Sequence, residues 1–406
     1  MMHARLARLA TVALVVGAFV GPSSAARAAV RAPGPTTSVP NAAVRDPGPA
    51  TGVPNAAPAA PACVNAQTDQ RATGVRSRFP VLLLGTGLDH PDDLQVSGEV
   101  VLVGELGNGN IARFGTSTAI GGSELLPAVV PTVEGLVRIG ATQFVANQGA
   151  DRIVTVDGAR VTTFLQLRPV RGREGVDGIG AVGNTLVVPD APRGQVLFVD
   201  LTGRIVRTVS GFGRPVNAWP LPSGAVLIPD ENLNSLFRLN PDGTRTRLLR
   251  ISIPDDAVTD ADGNIFVDSL GRDTVVQVVN GTAVEVAGAL GQPQGMGADA
   301  AGNLYVTEED NGRLDLIVRA VKLQPGLRMP PSLTATQSAC VALDRAPGFT
   351  AAVTIDPGAG YTVTAQPGTG SLGAVRPTGC SGLCRLHVTV HSGTRTDGVW
   401  LQVRLP

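Results

Sequence analysis

Short apolar segments alternate with Gly- and Pro-containing turns through the middle of the chain, and the pattern recurs about every 40 residues, as in repeat proteins. Each repeat opens with one strand, passes through a Gly-containing turn into a second apolar strand, and reaches a third strand after a polar loop. Turns such as Asp157-Gly158 and Asn280-Gly281 then lead to a fourth strand, as hairpins require. The repeats begin at His90, Thr132, Gly175, Pro215, Pro254 and Pro293.

Four short antiparallel strands in each repeat predict an all-β fold, a six-bladed β-propeller over residues 63–325. The last repeat lacks a fourth strand, because the chain after Leu314 runs into a Pro-containing segment. The segment Phe79 to Leu84, FPVLLL, precedes the first repeat and is predicted to supply that strand. Such N-terminal strand closure would leave no open sheet edge in the ring.

The C-terminal residues, 326–406, lack the repeat and show alternating apolar and polar positions instead. Strands are predicted at 350–355, 361–365, 385–391 and 399–405, with Gly and Pro between them. This pattern indicates a small β-sandwich-like domain. Since so short a segment buries little core by itself, we expect it to pack on the propeller.

The N-terminus has the pattern of an export signal over residues 1–28, with Arg5 and Arg8 before the apolar run Leu9 to Val20. That run is too short for a membrane anchor. Residues 29–62 form a Pro- and Ala-rich tract that repeats itself imperfectly and reads as an extended linker. The protein is therefore expected to be secreted, extracellular or in the cell envelope, with no membrane span in the mature chain.

Export makes the cysteines probable partners in disulfides rather than zinc ligands or redox groups. Three pairings of Cys63, Cys340, Cys380 and Cys384 are open. We favour Cys380–Cys384, which encloses a short loop, together with Cys63–Cys340, which brackets the repeats.

Charge and lysine content exclude some functions. The 33 basic and 33 acidic residues give a net charge of zero, so nothing points to nucleic acid or an anionic membrane. Lys322, the only lysine, lies at the end of the repeats, which disfavours Schiff-base catalysis. No G-x-S-x-G nucleophile motif is present.

Two sets of polar residues are predicted to meet at one mouth of the propeller channel. The first occupies the same slot early in each repeat: Asp92, Glu134, Asp177, Asn217, Asp255 and Gln294. The second ends each second strand: Glu105, Asn147, Asp190, Asp230, Ser269 and Glu308. Oxygen ligands of this kind suit a hard divalent cation, Ca²⁺ first and Mg²⁺ second. The alternative is that these side chains only hydrogen-bond to the backbone of the next blade or to channel water.

The segments PQGMGADAAGNLYVTEEDNGRL and PDDAVTDADGNIFVDSLGRDTV resemble NHL-type repeats, and GTGLDHPDDL is similar to the first blade of bacterial secreted propellers of that superfamily. The superfamily includes gluconolactonases, senescence-marker-type lactonases and streptogramin B lyases. The resemblance implies a metal held by Glu, Asn and Asp on the axis, with Asn217 and Asp255 in slots like those of PNG and PDG motifs. The chain departs from both motifs, because Asp256 replaces the Gly of the second and the first is shifted by one residue.

Two functions remain open from the sequence. In the first, the propeller is a binding or scaffold module, a monomer that presents its polar mouth to a small molecule, a glycan or an extracellular protein. In the second, it is a metal-dependent hydrolase or lyase of the lactonase type, with Asp177, Asp230 or Glu308 as general base.

Overall fold

The structure of the protein is a computed structural model that describes residues 71–116, 124–325, 339–349, 354–355, 360–365 and 372–405. The predicted signal peptide, the linker and Cys63 lie outside these residues, so the Cys63–Cys340 pairing stays a prediction. No helix in the described ranges is long and apolar enough to cross a membrane.

The repeats form six antiparallel sheets, and the strand order within each sheet is the predicted one of a propeller blade. Two strands precede them: β1 (Arg76–Ser77) and β2 (Val81–Thr86). Blades 1 to 3 contain β3 (Pro91–Ser97), β4 (Val100–Glu105), β5 (Ile111–Gly115) and β6 (Glu124–Leu125); β7 (Val133–Ile139), β8 (Thr142–Asn147), β9 (Arg152–Asp157) and β10 (Arg160–Gln166); and β11 (Gly180–Val182), β12 (Thr185–Asp190), β13 (Gln195–Val199) and β14 (Ile205–Ser210). Blades 4 to 6 contain β15 (Trp219–Pro220), β16 (Val226–Asp230), β17 (Ser235–Leu239) and β18 (Arg245–Arg250); β19 (Ala257–Thr259), β20 (Ile265–Ser269), β21 (Thr274–Val279) and β22 (Thr282–Gly288); and β23 (Pro293–Ala298), β24 (Leu304–Glu308) and β25 (Arg313–Ile317). Short 3₁₀ turns follow β8 and β12 at Gln148–Ala150 and Ala191–Arg193.

Second strands are apolar on both faces because a neighbouring blade covers each face. Leu186, Val187 and Val188 of β12 are consecutive, and all three are fully buried. Such a continuous apolar run is typical of a strand inside the core rather than at its surface. The apolar contacts between blades therefore form the core of the propeller.

Both N-terminal strands join blades from the end of the repeat region. β2 pairs antiparallel with β25, with Val81 opposite Ile317 and Thr86 opposite Arg313, so it is the fourth strand of blade 6. The sequence predicted this strand two residues earlier. β1 pairs with β22 and gives blade 5 a fifth strand, which the sequence did not predict.

The C-terminal segment is a two-sheet sandwich, as predicted. One sheet contains β26 (Val321–Pro325), β27 (Ala339–Arg345), β29 (Tyr361–Ala365) and β30 (Leu372–Pro377), and the other contains β28 (Thr354–Ile355), β31 (Leu383–Ser392) and β32 (Arg395–Arg404). Val341 and Val375 of the first sheet pack in one core with Val388 and Leu401 of the second. β26 pairs with β27, so residues 321–325, which the predicted propeller range includes, lie in a sheet of the sandwich. The predicted Cys380–Cys384 disulfide is present.

The sandwich packs on the propeller through a buried polar cluster around Lys322, which is fully buried. Its Nζ donates to Asp397 Oδ1 of the sandwich at 2.9 Å, and to Tyr305 Oη at 3.1 Å and Asp299 Oδ2 at 3.4 Å in blade 6. Arg395 of β32 also donates to the Ala301 carbonyl at 2.9 Å. Since Asp299 and Ala301 belong to the hairpin between β23 and β24, the sandwich contacts the face where inner strands end.

Candidate functional site

The first polar set lies where the inner strands begin, and all its members are buried: Asp92, Glu134, Asp177, Asn217, Asp255 and Gln294. The second set lies at the same mouth, since strand pairing puts Pro91 opposite Glu105, Val133 opposite Asn147 and Pro293 opposite Glu308. The structure therefore brings both sets to one end of the channel, opposite the face that contacts the sandwich.

Backbone strain is concentrated at this mouth. His90, Thr132, Ile253 and Gln292 each lie two residues before a first-set residue, and their φ angles are 51°, 53°, 42° and 51°. Left-handed backbone is unfavourable for side chains other than Gly, and most of all for a β-branched residue such as Ile253. Strain of this kind is often found where a fold positions functional groups.

Carboxyl groups converge at the mouth around Glu134. Burial, followed by the charges of Asp92 and Asp177, raises the pKa of Glu134 well above its usual range. The Glu134 side chain is hydrogen-bonded to both of those carboxyls. In the described part of the chain, its Oε1 is buried and has no hydrogen-bond donor partner. Burial and the neighbouring carboxyls thus favour the protonated form of Glu134.

Asp177 and Asp255 lie in the same acidic group but differ in their partners. Arg214 donates to Asp177 Oδ2 at 2.9 Å, and it also pairs with Glu174 at 2.8 Å and with Glu231. Burial, then the charges of Asp177 and Asp268, raise the pKa of Asp255 well above its usual range. One guanidinium thus faces several carboxyl groups.

The residue after the first-set slot, in blades 1 and 5, joins adjacent blades. Asp93 accepts from Leu94 N at 2.7 Å and from Leu136 N of blade 2 at 3.2 Å. Asp256 accepts from Met296 N of blade 6 at 2.7 Å and from the amide that follows it. In blade 6 this position is Gly295, where a Cβ would lie 2.6 Å from the Asp92 carbonyl oxygen. In blades 1 and 5, the residue after the slot thus hydrogen-bonds to the backbone of the next blade. In the sequence, the adjacent aspartates at 92–93 and 255–256 are the feature from which this role could have been predicted.

Second-set side chains hydrogen-bond within the loops of the mouth. Glu105, Asp230 and Glu308 accept from loop amides: Asp89 N at 3.0 Å, Gly213 N at 2.7 Å and Gly291 N at 2.6 Å. Asp190 accepts from Arg193 at 2.9 Å and Gln195 at 2.7 Å, Asn147 accepts from Ala150 N at 3.2 Å, and Ser269 donates to the Ser252 carbonyl. These residues hold the loops in place, whereas the first set lines the centre.

A cavity of about 310 Å³ lies between the inner strands, on the side of the channel away from the mouth. Asp93 and Asp256 lie at one part of its wall, and apolar residues such as Leu136, Ile179 and Met296 form another. Within the described ranges, no three His, Cys, Asp or Glu side chains are arranged as ligands of a metal ion.

No protein-family model and no curated protein matches the chain. Among solved structures, the chain is similar to the calcium-binding protein regucalcin from Agrobacterium tumefaciens, with a TM-score of 0.50 and 15% identity over 59% of this chain and 93% of that one. A luciferin-regenerating enzyme gives 0.49 and 11% over 58% and 94%, and virginiamycin B lyase from Staphylococcus aureus gives 0.43 and 13% over 80% and 98%. At these identities the likeness is one of fold. The chain has the propeller fold of the superfamily that its repeats resemble.

Proposed function

We propose that this protein is a secreted propeller module that binds a divalent cation, Ca²⁺ before Mg²⁺, at its acidic mouth and presents that mouth to an extracellular ligand. One observation carries the proposal: Glu134 is buried between Asp92 and Asp177, and its Oε1 has no hydrogen-bond donor in the described part of the chain. A cation would replace the proton of Glu134 and satisfy that oxygen.

The donor chemistry of the first set fits a hard cation, since its carboxyl and amide oxygens are the ligands that Ca²⁺ prefers. Asp92, Glu134, Asp177 and Asp255 would hold the ion, with Asn217 and Gln294 as neutral donors, and their side chains would have to move closer together than they lie in the described ranges, where no three acidic groups are arranged as ligands. The second set would hold the loops, because its oxygens already accept local hydrogen bonds. Regucalcin, which is similar in fold, is described as a calcium-binding protein.

A second candidate function is hydrolysis of a lactone or similar ester. The observation that favours it is Asp177, a mouth carboxyl whose pKa is raised by burial although Arg214 opposes the rise. A bound cation would polarise the carbonyl of such a substrate. For this second function Asp177 is the candidate general base, because the carboxyl groups of Asp230 and Glu308 already accept hydrogen bonds. Loop amides donate to both, and Arg313 of β25 also donates to Glu308.

The test compares melting of the protein and of Glu134→Gln in Ca²⁺, in Mg²⁺ and in chelator. Glutamine resembles the protonated glutamic acid, so the variant should melt within about 2 °C of the natural protein in chelator, the shift that about 1 kcal/mol or less produces in a domain of this size. It lacks the charge that a cation needs, so its Ca²⁺ affinity should fall at least about tenfold. The natural protein should gain about 2.7 kcal/mol at a hundredfold excess of Ca²⁺ over its Kd.

The control is Asp157→Asn, which also neutralises one carboxyl but lies in an exposed turn. It should keep the Ca²⁺ response of the natural protein. A natural protein indifferent to both Ca²⁺ and Mg²⁺ would overturn the cation site. Turnover in a lactone panel that is lost in Asp177→Asn, even at Ca²⁺ concentrations that saturate the variant, would favour the enzyme over the binding module.

A further inference from the structure

The outer face of the β31–β32 hairpin, in the C-terminal sandwich, presents an aromatic and basic surface. Along β31 the residues Cys384, Leu386 and Val388 point into the core, and the residues between them are exposed. Val399, Leu401 and Val403 are buried on β32 in the same way. The exposed residues that share the outer face form what we call the Trp400 face: Leu383, Arg385, His387, Trp400 and Arg404.

Trp400 is the centre of this face. Its side chain is 60% exposed, which is unusual for the largest apolar side chain. The indole stacks on the imidazole of His387, its partner across the strands, with ring centroids 4.7 Å apart and an interplanar angle of 25°. The imidazole thus covers one face of the indole ring, and Trp400 as a whole remains exposed to solvent.

The propeller helps to fix this pair of rings. His387 Nε2 hydrogen-bonds with Glu99 Oε1, which lies in the hairpin between β3 and β4 of blade 1. Gly398 permits the approach, since a Cβ there would lie 2.6 Å from Glu99 Oε1 and 2.8 Å from His387 Nε2. The Trp400 face is therefore built by both domains, and it is held rigidly before any ligand arrives.

Two arginines give the face its charge. Arg385 lies two residues from His387 on β31, and Arg404 lies four residues from Trp400 on β32. Neither makes a hydrogen bond or an ion pair with another residue of the described ranges, whereas Arg395 on the same hairpin pairs with Asp262. Two free guanidinium groups beside a supported indole match a ligand that combines a flat apolar surface with negative charge.

We propose that the Trp400 face binds an acidic glycan. The C–H face of a pyranose ring would pack on the Trp400 indole, and carboxylate or sulfate oxygens of the glycan would accept hydrogen bonds from Arg385 and Arg404. A protein partner is disfavoured because such an interface needs about 800 Å² on each side, far more than five side chains present. This proposal does not depend on the cation site at the propeller mouth.

Trp400 fluorescence and calorimetry test the proposal. Trp219 is the only other tryptophan and donates to Thr259 Oγ1 inside the propeller, so Trp219→Phe leaves Trp400 as the single reporter. The probes are oligogalacturonate for carboxylates, heparin oligosaccharides for sulfates, and a neutral cello-oligosaccharide. At least one acidic probe should shift Trp400 emission, and its affinity should fall as salt is raised. Calorimetry on the natural protein gives the same affinity independently of the Trp219 change.

The variants Trp400→Ala and Arg385→Ala/Arg404→Ala should each weaken binding of the acidic probe at least about tenfold, the effect expected when a stacking or charge-assisted contact is lost. The matched control Arg247→Ala/Arg250→Ala removes two exposed arginines from β18 of the propeller and should leave the affinity unchanged. Three results would each overturn the proposal: no binding of either acidic probe, equal binding of the neutral probe, or equal weakening in the control.

Discussion

Adjacent aspartates at the mouth differ in role because they differ in hydrogen-bond donors. Both oxygens of Asp256 accept backbone amides, yet burial still raises its pKa to about 7. Asp255, one residue earlier, lies in the acidic group, and burial with the nearby charges raises its pKa well above the usual range. Under the proposed function the first residue of the pair would contact the cation, whereas the second joins two blades.

Asp315 in blade 6 offers a direct measure of a proton shared by two carboxyl groups. Burial, then the hydrogen bond and charge of Glu308, raise the pKa of Asp315 to about 9, so at neutral pH it donates to Glu308. Because the folded pKa exceeds the unfolded value, the stability that this group contributes is present at low pH. It is lost between about pH 4 and pH 9, by at most about 1.4 kcal/mol per pH unit.

In Asp315→Asn the amide still donates to Glu308 but does not titrate. Chemical unfolding at several pH values should therefore show a smaller loss of stability between pH 5 and pH 9 in the variant than in the natural protein. Equal pH slopes for the two proteins would show that Asp315 is ionised in the fold. Buried acids that do not interact with Asp315 contribute equally to both curves, so the difference between the curves isolates the Asp315–Glu308 pair.

The strand β2 belongs to blade 6 although it precedes blade 1 in the chain. Leu82 is buried, and burial of a large apolar side chain is worth about 1.5–3 kcal/mol. Without β2, the edge of β25 and the buried side chains of Leu314 and Leu316 would be exposed. A chain that begins at Asp89 should therefore aggregate or melt at least about 10 °C below one that begins at Arg71, which keeps the strand. Equal melting temperatures would contradict this role of β2.

Local patterns predicted the strands well, and the missing fourth strand of the last repeat also predicted the non-local pairing of β2 with blade 6, but two other non-local pairings were not predicted. The blades follow from short apolar runs joined by tight turns, which need only neighbouring residues. In contrast, β26 pairs with β27 across residues 326–338, and β1 joins blade 5 from far away in the chain, so no local pattern indicates either pairing. The same difference between local and non-local information applies to the residues of the site. The first-set slots were evident from the repeat, but only the position of Leu136 and Met296 in the next blade reveals what Asp93 and Asp256 bind.

At the level of the whole molecule, the polar cluster around Lys322 couples the sandwich to the propeller. Burial acts to lower the pKa of Lys322, but its interactions with Tyr305, Asp397 and Asp299 outweigh burial and raise it. The lysine thus stays charged with partners from both domains. Breaking a buried pair of this kind by removing one partner costs about 3–5 kcal/mol. Because the Trp400 face also takes Glu99 from the propeller, its geometry depends on the same docking.

Lys322 is the only lysine and is fully buried, so an amine-reactive reagent reports directly on opening of this interface. In the folded protein the reagent should modify the terminal amine and leave Lys322 unmodified, as peptide mass spectrometry would show. Asp397→Ala removes the sandwich's partner and should speed modification of Lys322 at least about tenfold, since the interface then opens more often. Asp310→Ala, an exposed carboxyl in the propeller, is the matched control and should leave the rate unchanged. If Lys322 in the natural protein reacts as fast as the terminal amine, the two domains are not docked through this cluster in solution.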